Sequence, residues 1–250
     1  MLSQTLVALL LGYAVVFARI GGAMLFMPGF GENTIFIRHR LFLALAVSAA
    51  LYPATPVGSV SLVSPVELLR LFALEITIGL WIGTTARILM SALQFAGYQV
   101  GQVSGLANAF APNIGAFEGA TVVASILLIA GAALIFATDL HHQIIRALLM
   151  SYEVFPVGGI MPGDLAQQTV RAASASFYIG LSMSAPFYVM GLVLNMGMGL
   201  ANRMMPTLPV FFVAAPVLIA AGIVVLLAAA PSMLQVFLAQ FGDWLEGFAL

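Results

Sequence analysis

Few residues in this 250-residue chain could carry chemistry, because only 7% are charged and cysteine is absent. Asp139, His141 and His142 form a close group of metal-binding side-chain types. Adjacent histidines point about 100° apart on a helix and rarely share an ion, and no further ligand cluster accompanies them. We expect these residues to cap a helix at an interface, and we predict no metal site and no cofactor.

No nucleophile–base pair, phosphate-binding loop or pair of carboxylates at catalytic spacing appears elsewhere in the sequence. The absence of cysteine excludes disulfides and thiolate metal sites. No basic run points to nucleic acid, and all eight basic residues are arginine. The chain is therefore not expected to be an enzyme or a nucleic-acid-binding protein.

Three charged residues lie inside apolar segments, namely Arg19, Glu75 and Arg87. Such charges are costly in a bilayer and by default face protein or water. Arg19 could instead snorkel to the interface, and Glu75 has no local basic partner at helical spacing. Glu67 and Arg70 are three apart and can pair on one helix face. We predict buried charges at Arg19, Glu75 and Arg87, in helices surrounded by other protein.

Glycines recur at four-residue spacing, which places them on one helix face. A face without side chains lets a second helix approach closely in a membrane. The pattern is densest in the polar, glycine-rich stretch Gly97–Gly119. We predict seven helix-packing glycines: Gly79, Gly83, Gly97, Gly101, Gly105, Gly191 and Gly199.

The second half of that stretch, from Asn108 to Gly115, cannot be an ordinary lipid-facing span. Pro112 lacks a backbone donor, and the flanking asparagines and glycines favour a turn. Irregular backbone at membrane depth survives only where protein buries it or where it lines a water-filled path. The residues therefore predict a pore-associated loop.

These features must be positioned by membrane-embedded elements. The chain is 62% hydrophobic with a mean hydropathy of +1.12, whereas soluble domains carry about 25% charged residues. We interpret the N-terminus as a retained first span, because no basic region precedes it. Arg38 and Arg40 favour the cytoplasmic side for their connection.

The hydrophobic runs predict the following segments. Full spans are predicted at Thr5–Met27, Thr121–Thr138 and Val210–Ala230, and a half-span at Leu41–Tyr52. Long helices are predicted from Pro65 to Gln102 and from Gln167 to Met198, the second with a kink at Pro186. A short helix is predicted at Ile144–Tyr152, and an amphipathic surface tail from Pro231.

Four blocks of sequence carry a resemblance to a known family. They are Arg19–Gly22 with Pro28–Gly31, the Glu75-x-x-x-Gly79-x-x-x-Gly83 spacing, Asp139–Gly158, and Asn202–Gly222. Together they resemble the FliR family of flagellar type III export-gate proteins, which has counterparts in virulence secretion systems. The resemblance covers nearly the whole chain in order.

The resemblance implies an all-α integral membrane protein whose long, broken and half-span helices form hairpins that stack in a helical export-gate complex. It implies the bacterial inner membrane at the flagellar basal body, FliP and FliQ as partners, and FlhB and FlhA nearby. Unfolded flagellar subunits would pass through, driven by the proton motive force. The single membrane domain, 1–250, would comprise a FliP-like portion at about 1–180 and a FliQ-like hairpin at about 181–250.

The resemblance also implies a loop that plugs the closed channel, which here falls on Leu106–Phe117. Phe110 and Phe117 would be its hydrophobic stoppers. Ala111-Pro112 stands where members of the family often have Asp-Pro, so a role for that aspartate does not transfer. The predicted plug residues are Leu106, Asn108, Phe110, Pro112, Asn113, Gly115 and Phe117.

Two other functions remain open from the residues alone. A self-contained secondary transporter would also have discontinuous helices and buried charges, and its solute site would use Glu75, Arg87 or Asp139. A membrane-embedded enzyme would depend on the Asp139, His141 and His142 group.

Overall fold

The computed structural model of the chain describes residues 2–32, 35–57, 64–107, 122–159, 161–205, 207 and 210–247. Those residues contain no β-strand, so the predicted all-α fold is confirmed. A short 3₁₀ turn, Tyr52–Ala54, follows the second helix. The α-helices are α1 (Leu2–Phe26), α2 (Ile37–Leu51), α3 (Pro65–Val103), α4 (Val122–Ala137), α5 (Leu140–Val154), α6 (Pro162–Met204) and α7 (Val210–Gly247).

Several helices are long and apolar enough to cross a bilayer, which takes about 20 residues. Within the described ranges, three segments meet this description, namely Thr5–Phe26, Pro162–Met204 and Ala214–Gly247. Helices α4 and α5 form a bent pair with an angle of 78° at their break, and together they could make a fourth span. The 15-residue α2 is too short to cross. The predicted mixture of long, broken and half-span helices is confirmed.

The last helix differs from its prediction, because it does not break at Pro231. Helix α7 runs through both Pro216 and Pro231 to Gly247. A proline removes one helical hydrogen bond, and the turns on either side can continue when packing holds them. Beyond Pro231, every fourth side chain is buried, so the tail packs against protein: Met233, Phe237, Phe241 and Leu245.

Two further helices begin earlier than predicted. Helix α5 begins at Leu140 rather than Ile144. Helix α6 begins at Pro162, with Asp164 in its first turn. Proline suits the first position of a helix, and an acidic group there interacts favourably with the helix dipole.

The start of α3 corrects the predicted pair of Glu67 with Arg70. The Glu67 carboxylate instead accepts hydrogen bonds from the backbone N–H and the hydroxyl of Ser64, at 3.2 and 3.0 Å. The Glu67 N–H donates back to the Ser64 hydroxyl at 3.4 Å. This is a capping box, and its Ser-x-x-Glu pattern is readable in the sequence.

The chain divides into two compact units, each discontinuous in sequence. The first comprises Met1–Leu89, Ile135–Ala173 and Phe241–Leu250, and the second comprises Met90–Leu134 and Ser174–Gln240. The first unit buries α1 residues such as Val15, Val16 and Ile20, whereas the second buries Leu93 and Phe187 among others. The division into portions near residue 180 stays a prediction.

Candidate functional site, a buried ion pair between closely packed helices

Arg19 of α1 and Glu75 of α3 form an ion pair in the first unit. The Nε of Arg19 donates to Glu75 Oε2 at 2.6 Å, and its Nη2 donates to Glu75 Oε1 at 3.0 Å. Both side chains are fully buried, at 0% exposure. The two parallel bonds match the planar fork of a guanidinium to a carboxylate, which is the strongest geometry for such a pair.

The remaining groups of the pair are satisfied by the end of α5 and the turn after it. The Nη1 of Arg19 donates to the carbonyl of Ser151 at 3.0 Å, and the guanidinium lies 4.0 Å from the ring centroid of Tyr152. The N–H of Gly158 donates to Glu75 Oε1 at 3.1 Å. Gly158 has a φ of +75°, which glycine adopts without a steric penalty. The pair therefore joins α1, α3, α5 and this turn.

The energetics of burial explain why so many partners surround one arginine. Moving a charge out of water costs several kcal/mol, which is offset only when the geometry is good and the remaining donors and acceptors are bonded. Arg19 does not snorkel to an interface, because its whole side chain is enclosed. Sequence reasoning identified both residues but missed their pairing, since they are 56 positions apart and no local spacing connects them.

Glycines let α1 and α3 approach closely enough to form this pair. A Cβ added to Gly79 would collide with the carbonyl oxygen of Arg19, and one added to Gly83 would collide with that of Ala23. From the other side, a Cβ on Gly22 would lie 3.1 Å from the carbonyl oxygen of Ile76. Backbone thus faces backbone along the contact, as in close membrane helix pairs.

The second unit has its own close contacts. A Cβ on Gly97 would collide with the backbone of Ala124, and one on Gly191 would collide with the side chain of Val103. Gly101 is buried within α3. Sequence reasoning missed three isolated glycines that also lie against neighbours, because they lack a four-residue repeat: Gly131 against Leu93, Gly180 against Phe95, and Gly222 against Ser104.

Two of the predicted packing glycines occupy different settings. Gly105 has a φ of +71° just beyond α3, so it belongs to the turn that ends the helix rather than to a helical face. A Cβ on Gly199 would meet nothing within 4 Å in the described part of the chain. The described residues therefore supply no packing partner for Gly199.

Arg87 corrects the prediction of a third buried charge. Its side chain is 41% exposed, and its Nη1 lies 3.6 Å from Glu32 Oε1. Glu32 follows the end of α1, so this pair lies at the edge of the helices. Exposed pairs of this kind contribute about 0–1 kcal/mol.

The Asp139 group lies at the bend between α4 and α5. Asp139 occupies the N-cap position of α5 with a φ of 60°, yet its side chain makes no capping hydrogen bond, so the predicted cap is wrong. Its Oδ1 lies 3.6 Å from His142 Nδ1, and the His141 and His142 rings are 4.1 Å apart. The three side chains could offer ligand atoms within 4.8 Å of one another, and they are the residues that could hold a metal. That they bind none stays a prediction.

The predicted plug falls almost wholly outside the described residues. Leu106 is described and is buried. The other plug residues lie outside the described ranges: Asn108, Phe110, Pro112, Asn113, Gly115 and Phe117.

Comparison with known proteins identifies the family of this chain. Residues 10–244 match the family model described as bacterial export proteins, family 1. The chain is 34% identical over 241 residues to the flagellar biosynthetic protein FliR of Caulobacter vibrioides, covering 94% of each protein. It is 28% identical to FliR of Escherichia coli K12, over 82% of this chain and 78% of that protein.

A relative with a different name is also similar. The chain is 26% identical to the Yop proteins translocation protein T of Yersinia pestis, over 83% of this chain and 81% of that protein. The family match spans both compact units and every helix from α1 to α7. The chain therefore belongs to family 1 of the bacterial export proteins, as a multi-helix membrane protein related to the FliR flagellar biosynthetic proteins.

Proposed function

We propose that this chain is a non-enzymatic subunit of the flagellar type III protein export gate in the bacterial inner membrane, at the flagellar basal body. It helps to form and close the channel through which unfolded flagellar subunits leave the cell. The observation that carries this proposal is the 34% identity to a FliR protein over 94% of both chains. A match over the full length, rather than over one motif, favours the same role in the same machine.

The outer surface of the long helices supports a role inside a larger assembly. Helix α6 exposes a run of large apolar side chains beyond its middle: Leu192, Val193, Met196 and Leu200. Gly197 and Gly199 lie within this run, and a Cβ on either would meet nothing within 4 Å of the described chain. Small residues on an apolar surface are what membrane helices use to receive a partner helix.

The partners we propose are FliP and FliQ in a hetero-oligomeric gate, with FlhB and FlhA nearby. Helical hairpins of the three proteins would stack in a helical arrangement. The loop from Leu106 to Phe117 would close the channel, with Phe110 and Phe117 as its hydrophobic stoppers. Support for a plug comes from the composition of that segment and from the family resemblance.

The alternative, a self-contained secondary transporter, is disfavoured by how the charges are used. Glu75 is fully buried and its carboxylate accepts hydrogen bonds from Arg19 and Gly158, so it is already engaged within the protein. Arg87 faces Glu32, and Asp139 is 82% exposed beside His142. The three residues expected to form a solute site are each engaged in a separate contact.

Co-purification tests the proposal. The chain is expressed with FliP and FliQ of its own organism, extracted in mild detergent and isolated through a tag on this chain alone. We expect a stable complex that contains all three proteins. The isolated chain, reconstituted in liposomes, is expected to accumulate no solute.

Two matched variants test whether the exposed apolar surface of α6 binds a partner. Gly199→Leu places a bulky side chain on the open apolar surface and should lower the yield of complex. Gly163→Leu, where a Cβ also meets no described residue within 4 Å, should not. Recovery of only a monomer or homodimer that drives solute uptake would contradict the proposal of a gate subunit and would favour a transporter.

A further inference from the structure

A groove of about 730 Å³ lies along α1, bordered by α2 and α3. Ala14, Ala18, Gly21 and Gly22 line it from one face of α1, at helical spacing. The three atoms nearest to a Cβ added at Gly21 all belong to Phe17 of the same helix, the closest at 3.4 Å. The missing side chain of Gly21 therefore leaves space on the floor of the groove.

The dimensions and lining of the groove suit a hydrocarbon chain. The stretch from Ala14 to Leu25 is about 16 Å long at about 1.5 Å per residue. One leaflet is half of a hydrocarbon core of about 30 Å, so the groove is about one leaflet deep. Its walls are apolar, with Phe17, Leu41 and Phe72 among them.

Two arginines line the same groove toward the end of α1, namely Arg38 and Arg40. Arg40 lies beside the last turn of α1, because its Nη1 donates to the carbonyl of Leu25 at 3.5 Å and its Nη2 to that of Glu32 at 2.9 Å. These acceptors are neutral carbonyls. Among the described residues neither arginine makes an ion pair with a carboxylate.

The guanidinium of Arg40 also has an unpaired donor, its Nε. It is buried and has no hydrogen-bond partner in the described chain. A buried donor without a partner is costly, and a guanidinium without a counter-charge favours an anion with several acceptor oxygens. The candidate span of α1 ends at Phe26, so these arginines lie at the level expected for lipid headgroups.

We propose that this groove binds one anionic phospholipid of the host membrane. An acyl chain would lie along α1 from Leu25 toward Ala14, and the phosphate would accept hydrogen bonds from Arg38 and Arg40. A free phosphate ion would leave the apolar floor uncovered, and an apolar helix of another protein would leave both guanidinium groups without an anion. A phospholipid satisfies both parts of the groove.

The number of lipids that stay bound to the purified protein tests the proposed lipid site. The protein is purified in mild detergent, together with any partners that remain bound, and exchanged into nanodiscs of phosphatidylcholine with a minor fraction of phosphatidylglycerol. Native mass spectrometry then counts the lipids that stay attached after gentle release. We expect one phosphatidylglycerol to be retained by the wild-type chain. The double variant Arg38→Ala/Arg40→Ala should reduce that retention about tenfold or more, because a hydrogen bond to a charged group contributes about one such factor.

Three further variants separate loss of the site from loss of folding. Gly21→Leu should fill the floor and reduce retention while both arginines remain. Arg40→Lys should keep most of the retention, because it keeps the charge. Arg171→Ala, which removes an exposed arginine from α6, should change nothing. Equal retention in wild type, the double variant and Gly21→Leu would overturn the proposal, as would an equal loss in Arg171→Ala.

A photoreactive side chain at position 21 distinguishes the occupant inside the assembled complex. Cross-linking to phospholipid supports the proposal. Cross-linking to a helix of another protein would overturn it and would identify the groove as a protein interface.

Discussion

At the scale of single residues, the centre of the first unit is the Arg19–Glu75 pair. Its burial makes the two partners interdependent, since each carries a charge that the other compensates. Breaking a buried pair by removing one partner costs about 3–5 kcal/mol, whereas replacing both by apolar groups of similar volume is often neutral. This asymmetry separates a structural role from a direct role in export.

Glu75→Gln should destabilise the chain by about 3 kcal/mol or more, because the Arg19 charge would stay buried without its counter-charge. The double variant Arg19→Met/Glu75→Leu should recover most of that loss. Denaturant titration in detergent measures the free energy of unfolding, and swimming of a complemented strain measures export.

Glu153→Gln is the matched control, because Glu153 is exposed on α5. A double variant that is stable but blocks motility would contradict a purely structural role for the pair. Equal losses in Glu75→Gln and Glu153→Gln would contradict the pairing itself.

Asp139 is the second residue with a testable environment, because its φ of 60° places it in the left-handed region. Asparagine tolerates this conformation, whereas a β-branched side chain is strongly disfavoured there. The free energy of unfolding should therefore be about 1 kcal/mol lower for Asp139→Val than for Asp139→Asn. Both variants remove the charge, so their difference isolates the backbone.

The same two substitutions at Asp243, an exposed position within α7, supply the comparison. There the valine and asparagine variants should unfold within about 0.5 kcal/mol of each other, since their helix propensities are similar. If the valine and asparagine variants differed in stability as much at Asp243 as at Asp139, the backbone conformation at the bend would not be the cause of the difference.

At the scale of elements, close helix contacts position the charged residues. Helices α1 and α3 meet through Gly22, Gly79 and Gly83, whose missing side chains let the carbonyl groups of one helix contact the backbone of the other. The four-residue glycine spacing predicted such a face on α3. It did not indicate which helix would lie against it, because spacing within one helix carries no information about its neighbour.

Gly79→Ala should destabilise the isolated chain by about 1–3 kcal/mol, because its methyl group would press on the carbonyl of Arg19. Gly199→Ala should not destabilise the chain and can stabilise it by up to about 1 kcal/mol, since alanine favours a helix where space is open. Unfolding in detergent compares the two. An equal loss of stability in Gly199→Ala and Gly79→Ala would contradict the predicted difference between the two positions.

At the scale of the whole molecule, large apolar surfaces and a glycine-rich central segment suggest a chain that works inside an assembly. The proposed plug is testable only there, because the channel would be built by several proteins. Deleting Asn108–Gly115 should leave the complex assembled but make the membrane permeable to ions. Planar-bilayer conductance of the purified complex measures this.

An equal-length replacement of those eight residues by a glycine–serine linker controls for the shortened connection. It should also conduct, because the linker lacks Phe110 and leaves the second proposed stopper, Phe117, on a flexible connection. Unchanged conductance in both variants, with normal assembly, would contradict the plug.

The sequence by itself determined the membrane class, the all-helical fold and most helix positions. These properties follow from composition and from hydrophobic runs, which are local and additive along the chain. Full-length resemblance then identified the family. The capping box of Ser64 and Glu67 was also readable, although it was missed.

Only the tertiary structure decided which charges are buried and what they touch. Arg19, Glu75 and Arg87 look alike in sequence, since each interrupts an apolar segment. The first two are enclosed because α1, α3 and α5 meet around them, whereas Arg87 faces Glu32 at an edge. Burial depends on contacts between residues far apart in the chain, and for that physical reason no local pattern could have predicted it.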